Sequence, residues 1–286
     1  LSSELLENDL KLRNSNNDEI SLEYVKLVEI KPDAFKLCRN RKIKSLHLQN
    51  ASKKEYKNLK ALNIKHSSLF EPLKEHLKEL HLSCTLECDF NFLEHLYRLK
   101  WLNLDSSDFR HGKPVFNLAN NQLEELVLTD CKLKISDTTM FNNLKCLKHL
   151  DLSFVRFGDN VLPGLFSELK HLESLTLSKI ESTKLAEDAF IHLENLKELY
   201  LGEIEISIES SNIFAPLKRL EKLEMGCSNA FNYDAYGRVR DLREIALYFL
   251  PTIEIDENFF GNHPNLESLD LSDLNTPEQD LKTQDD

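Results

Sequence analysis

Glycine and proline are scarce in this chain, with 7 and 8 among 286 residues. No Ser/Gly-rich or Pro-rich linker interrupts it, so nothing marks a boundary between domains, and residues 1–286 are expected to form a single unit. No apolar run approaches the roughly 20 residues a membrane-spanning helix needs. The first segment, Leu1 to Asn17, is too polar for a signal peptide. Glycine-rich phosphate loops and the HExxH and GxSxG signatures are absent, which removes the usual sequence grounds for an enzyme. The expectation is no catalytic residue, no cofactor and no metal. Six cysteines, Cys38, Cys84, Cys88, Cys131, Cys146 and Cys227, are scattered, and only Cys84 and Cys88 lie close together. Two thiols are too few for a zinc site, while a disulfide between them stays open. Positive charge is also in deficit, with 36 Lys and Arg against 48 Asp and Glu and a net charge of −12. Nucleic acid is bound by neutralising phosphates, so this balance predicts no nucleic-acid partner. The acidity itself reads as solubility ahead of steering toward a basic partner.

What the chain has in abundance is leucine in a fixed rhythm. Leu123, Leu126 and Leu128 are followed by Leu147, Leu150 and Leu152, then Leu172, Leu175 and Leu177, then Leu196, Leu199 and Leu201, an LxxLxL unit about every 24 residues. That period belongs to a stacked solenoid. A second marker runs in step: Phe141, Phe166, Phe190, Phe214, Tyr236 and Phe260 each sit nine positions before Leu150, Leu175, Leu199, Leu223, Ile245 and Leu269. The distance from each strand to the next aromatic varies instead, so length changes fall in one connecting arm. The pattern extends forward through Leu220, Leu223, Met225, then Leu242, Ile245, Leu247, then Leu266, Leu269, Leu271. Backward it runs through Leu99, Leu102, Leu104 and Leu77, Leu80, Leu82, then Leu59, Leu62, Ile64, then Ile43, Leu46, Leu48, then Leu22, Val25, Leu27. The count is twelve repeats, irregular before about Leu99, with residues 275–286 as a polar tail.

In each strand the marked residues point inward and those between point outward, because side chains alternate along a strand. Parallel stacking then aligns equivalent residues in ladders. One ladder reads Lys44, Lys60, Lys78, Lys100, Glu124, Lys148, Glu173, Lys197, Glu221, Arg243, Glu267. From Lys100 onward its sign alternates, which is a stabilising pattern. The run Lys44, Lys60, Lys78, Lys100 repels itself and is the better candidate for meeting something acidic. Across the whole outward face the first half is basic, with Lys65 added to these lysines. The second half is acidic, through Glu124, Glu125, Asp130, Asp151, Glu198, Glu203, Glu224, Asp270 and Asp273. Outward rings are few: Trp101, Phe154, Tyr200, Tyr248 and Phe249. Exposed rings gain by being covered, and Trp and Tyr are enriched in binding hot spots. Trp101, Glu125 and His149 are predicted to form one lateral row. Asn103, Asp105, Asp151, Glu198 and Glu224 complete the expected partner-binding set. His47 and His81 are expected to be isolated from each other by the strand carrying Asn63. Cys131, at the inward turn after its strand, is expected to be a buried thiol.

These motifs resemble the leucine-rich repeat proteins. The 24-residue period, the arms Phe141-Leu144-Leu147 and Phe190-Leu193-Leu196, and Ile30-Lys31-Pro32-Asp33-Ala34-Phe35 are similar to the class typical of extracellular members, the Toll-like receptor and chaoptin-like ectodomains. The resemblance implies an α/β, right-handed horseshoe solenoid with a parallel concave sheet. It also implies protein binding on that concave face, in secreted or cell-surface recognition such as innate immunity or adhesion. The chain departs from the family where an asparagine is usual, carrying Ser107, Cys131, Val155, Ile180, Ile204, Ser228, Leu250 and Leu274. Backbone groups there must be satisfied by water or by bonds from coil to coil, with looseness or irregular curvature expected. The family's cysteine-rich caps are also missing, which favours an excerpt of a longer chain. The alternative is an intracellular adaptor, such as the repeat part of a ubiquitin ligase receptor, or a secreted effector acting inside a host cell. Missing caps and a single sequon, Asn50-Ala51-Ser52, support it.

Overall fold

The computed structural model describes residues 18–25, 30–50, 62–63, 67–82, 86–87, 91–107, 109, 116, 122–133, 135, 138–157, 160–161, 164–180, 184–204, 210–227, 235, 239–248 and 257–272. Their strands, in chain order, are β1 (Glu19–Val25), β2 (Ser45–Asn50), β3 (Leu62–Asn63), β4 (Glu79–His81), β5 (Leu86–Glu87), β6 (Trp101–Asn103), β7 (Glu125–Val127) and β8 (His149–Asp151). They continue with β9 (Asn160–Val161), β10 (Ser174–Thr176), β11 (Lys184–Leu185), β12 (Glu198–Ile204), β13 (Lys222–Cys227), β14 (Glu244–Tyr248) and β15 (Ser268–Asp270). Among the described residues one α-helix, α1 (Glu257–Asn262), lies in the last arm, and short 3-10 turns occupy Lys36–Cys38, Ser67–Leu73 and Asn91–His95.

Eleven strands form one parallel sheet in the order β1-β2-β4-β6-β7-β8-β10-β12-β13-β14-β15. The register follows the leucines: Leu80 faces Leu102, which faces Leu126, then Leu150, Leu175, Leu199, Leu223, Ile245 and Leu269. Leu102, Leu104, Leu126, Leu128, Leu199 and Leu201 are all fully buried. Each such side chain contributes about 1.5–3 kcal/mol of burial energy, which is what locks the strands in register. Opposite the sheet, the Phe-xx-Leu-xx-Leu arms close successive three-residue turns: Leu144 N–H donates to the Phe141 carbonyl and Leu147 N–H to Leu144. The same pair of bonds recurs at Phe166, Phe190 and Phe214. Spacing by three therefore places each apolar residue on one inward side of the arm. The buried rings stack from coil to coil, with centroids 6.2 Å apart for Phe116–Phe141, 6.4 Å for Phe141–Phe166 and 6.3 Å for Phe190–Phe214.

The first coils differ from the pattern inferred from sequence. The sheet has eleven strands and not twelve, because β2 pairs directly with β4 and the short β3 pairs with β5 in a separate two-stranded sheet. Leu62 follows Leu46 by only 16 residues, too few for a coil, which needs about 20–29. The segment thus belongs to a long arm, and Lys60 and Lys65 lie outside the described residues. At the start, Ile20 faces Leu46 and Leu22 faces Leu48. The inward pair is therefore Ile20 and Leu22; Val25 lies opposite Asn50, and Leu27 is outside the described residues. Phe260 also departs from its fellows, being 53% exposed where Phe141, Phe190 and Phe214 are fully buried. Its strand β15 is last in the sheet, with β14 on one side only, so Leu266, Leu269 and Leu271 are partly buried as well. Tyr236, Phe249 and the tail 275–286 lie outside the described residues.

Where the family's asparagine is absent, coil-to-coil bonds take over. Ser106, Asp130, Phe154 and Lys179 share a left-handed backbone, with φ of 57°, 54°, 61° and 53°. Their N–H groups donate to the carbonyls of Thr129, Ser153, Ser178 and Gly202 on the next coil, at 2.8 to 3.0 Å. Cys131 is buried as expected, and its thiol reaches the Leu104 carbonyl at 3.1 Å. Burial also pushes that thiol's pKa far up. At Ile204 the register slips: Leu201 faces Met225, but Ile204 faces Cys227.

Candidate partner-binding face

The outer face of the sheet carries columns of side chains that run across the coils. The first column is the charge ladder, corrected to Asp18, Lys44, Lys78, Lys100, Glu124, Lys148, Glu173, Lys197, Glu221, Arg243 and Glu267. Backbone bonds link each N–H from Lys44 to Glu267 to the preceding member's carbonyl. Ion pairs join Lys44 to Asp18 at 2.6 Å, Glu124 to Lys100 at 2.5 Å and to Lys148 at 2.8 Å, and Lys197 to Glu173 at 2.7 Å. Hydrogen bonds from the two flanking lysines hold the Glu124 carboxyl at a pKa of about 2. Lys78, between two lysines, has no carboxylate within ion-pair distance among the described residues.

The second column places Trp101 beside Glu125 and Glu125 beside His149, as expected. On its other side Trp101 faces Glu79. The third column contains a grouping that the sequence did not reveal. With β3 removed from the sheet, His47 and His81 are neighbours. Their ring centroids are 5.6 Å apart, and those of Trp101 lie 6.1 Å from His47, stacked, and 5.7 Å from His81, edge-on. Asp105 fixes His81 at 3.1 Å. Ser45 Oγ donates to Glu79 at 2.9 Å, so in its contact of 2.8 Å with His47 the ring Nε2–H donates and the hydroxyl oxygen accepts. Here the hydroxyl sits between imidazole and carboxylate, whereas nucleophilic catalysis needs the imidazole in the middle. The chain of bonds orients the ring. The 16-residue spacing of Leu62 after Leu46 was the signal that would have found this grouping.

Two expected site residues are turned onto the backbone. Asn103 Oδ1 accepts the Asp105 N–H at 2.8 Å, and Asp151 Oδ1 accepts the Ser153 N–H at 2.8 Å. Both close the turn at the end of their strand. Phe154 is 47% exposed despite its left-handed backbone, and Lys179 Nζ lies 5.5 Å from its ring centroid. Further along, Tyr200 donates to Glu198 at 3.2 Å, and Lys222 sits 5.7 Å from the Tyr200 centroid while pairing with Glu244 at 2.8 Å. Burial, then Glu224 and Asp270, raises the Tyr248 hydroxyl pKa; burial and then Glu198 raise that of Tyr200. A cleft of about 280 Å³ on the strand-entry rim is bounded by Cys146, Lys148, His171, Lys197 and Arg219. Its long cations are already engaged, Lys148 by Glu124, Lys197 by Glu173 and Arg219 by Asn195 at 3.0 Å. Among the described residues no group of His, Cys, Asp and Glu is placed to hold a metal, and no helix is long and apolar enough to cross a membrane.

Solved structures share this architecture. The chain superposes on the TLR13–ssRNA13 complex with a TM-score of 0.74 at 22% identity, covering 96% of this chain and 38% of that one. The mouse RP105/MD-1 complex gives 0.63 at 20% identity, covering 89% and 47%. An internalin from Listeria monocytogenes gives 0.52 at 17%, covering 95% and 76%. This chain is a leucine-rich repeat solenoid. In sequence, the leucine-rich repeat chain is 28% identical to the CD180 antigen of Mus musculus over 181 residues, 59% of this chain and 24% of the relative, so it spans about a quarter of that protein's length. No family model matches. Since TLR13 was solved with single-stranded RNA, the net charge of this leucine-rich repeat chain does not by itself exclude a nucleic-acid partner.

Proposed function

We propose that this solenoid recognises a protein through the outer face of its sheet, as part of a secreted or cell-surface protein in immunity or adhesion. The observation that carries this is the cluster His47, His81 and Trp101, three part-exposed rings packed on one another, with Ser45 holding the His47 ring and Asp105 the His81 ring. Rings pre-ordered by mutual packing and by hydrogen bonds to the two imidazoles lose little entropy when a partner covers them, as in a binding hot spot. Trp101, Glu125, His149, Phe154, Glu198, Tyr200, Glu224 and Tyr248 extend the same face. RP105 is known in complex with the protein MD-1, which supports a protein ligand.

The test is capture of extracellular proteins by the immobilised chain, followed by affinity measurement on H47A/W101A. At least a tenfold loss, about 1.4 kcal/mol, is expected. Unchanged affinity would remove the ring cluster from the interface. Tight binding of labelled single-stranded RNA with no captured protein would replace the proposal. The intracellular adaptor is the second reading, favoured by free Cys38, Cys131 and Cys146. Thiol titration of the native protein separates the two, since all thiols reduced fits the cytosol.

A further inference from the structure

The acidic end of the sheet differs from the ladder in how its charges are satisfied. On the outer face of β12 to β15, among the described residues, Glu198, Glu224, Glu244 and Asp270 stand against the single cation Lys222. Glu244 takes that cation, Glu198 takes the Tyr200 hydroxyl, and Asp270 takes the Ser272 N–H at 2.9 Å and the Tyr248 hydroxyl. Glu224 has neither: among the described residues no cation and no hydrogen-bond donor reaches its carboxylate. It is half-buried and leans over Gly202, where an added Cβ would lie 3.0 Å from its Oε1. Its carboxylate therefore keeps its full accepting capacity for an incoming cation. Gly202 and Gly226 hold the column that earlier coils fill with Ser153 and Ser178, so that column brings no side chain of its own between the two tyrosines. Lys222 already lies over Tyr200, so that ring face accepts an ammonium group. No cation lies over Tyr248 among the described residues.

We propose that this face docks a basic segment of a protein partner, with a lysine or arginine side chain seated against Tyr248 and the Glu224 carboxylate. The proposal rests on the sheet-face reading above and supplies the chemistry of one end of the partner. Charge complementarity decides the occupant: four carboxylates against one lysine reject an acidic segment, and two rings suit a cation's alkyl stem as well as its charge.

The probe is a fluorescein-labelled nona-arginine peptide, measured by fluorescence anisotropy in physiological salt, with nona-glutamate as its counterpart. Wild-type protein is expected to bind the first and not the second. E224Q/D270N should weaken nona-arginine binding about tenfold, whereas D188N/E194Q, the same charge change on an exposed arm, should change it under about twofold. Equal weakening in both variants would show diffuse attraction to an acidic protein and overturn the proposal, as would no binding by wild type. Peptide loss in E224Q/D270N together with unchanged partner affinity in H47A/W101A supports the cation site and removes the ring cluster. The reverse result keeps the ring cluster and removes the cation site.

Discussion

The coils between β6 and β13 and those before β6 obey the same leucine rule with different outcomes. Central strands recur every 24 or 25 residues, and their outer ladder is stitched by alternating ion pairs. From Leu46 to Leu80 the step is 34 residues, and the outer face there is held by rings and short hydrogen bonds. A fixed period lets each strand find its neighbour by counting. A long arm admits a false match, because Leu59, Leu62 and Ile64 imitate a strand while Leu62–Asn63 pairs elsewhere. The inward leucine alone does not say which coil a strand joins; the length of chain between leucines does.

The largest effect expected separates the buried spine from the end coil. Phe190→Ala should cost about 3–5 kcal/mol in urea denaturation, because a fully buried ring between two coils leaves a cavity. Phe260→Ala should cost under about 1 kcal/mol, since that ring is half in water. Similar losses for both would mean that the last coil is packed like the central ones. The irregular region is tested more directly by cross-linking. Cysteines in place of His47 and His81 sit on paired strands, within the separation a disulfide spans, and should oxidise in high yield. The pair H47C/N63C should not. Oxidation of the second pair alone would restore the twelve-strand sheet.

Much of the central region was legible because its determinants are local and repeated. The inward leucines, the phenylalanine spine, the alternating ladder and the row Trp101, Glu125, His149 all follow from alternation along a strand and one constant offset between strands. The N-terminal grouping was not, since a single wrong strand shifts every lateral neighbour: it split His47 from His81 and placed Lys60 in the ladder. Alternation also tells which side a residue faces without telling what it bonds. Asn103 and Asp151 face outward as expected, yet both spend an oxygen on a nearby backbone N–H. Their substitution should disturb the turn as well as any partner.

A smaller effect concerns Phe154. A left-handed backbone costs a bulky residue roughly 1–2 kcal/mol and an asparagine less, so Phe154→Asn should raise stability by up to about 1 kcal/mol in the same denaturation. If Phe154 belongs to the binding face, partner affinity should fall at the same time. A gain in stability with affinity intact would assign the ring no role. At the end coil, His263 is buried, its Nδ1 donating to the Val239 carbonyl at 3.1 Å, and desolvation lowers its pKa from the usual value near 6.5. The fold therefore gains most from this residue above that value and loses the contribution as pH falls below it. Hydrogen exchange should show β15 opening more readily at pH 5 than at pH 7, with β8 unchanged across that range.

The smallest effect lies in the ladder. Glu124 titrates at about 2, against an ordinary 4.5, because Lys100 and Lys148 both donate to it. A depressed carboxyl stabilises the fold fully above its unfolded value and gives that up as pH falls, here between 4.5 and about 2. Since all three groups are part-exposed, salt and water screen the pairs, and the stability at stake at neutral pH is under about 1 kcal/mol. Carboxyl NMR is the sharper measurement. In K100M/K148M the Glu124 titration should return to the ordinary range while Glu173, paired with Lys197, stays depressed. A Glu124 carboxyl still near 2 without its lysines would trace the shift to some other donor, and the alternation of charge would then be a consequence of stacking with no part in holding the coils together.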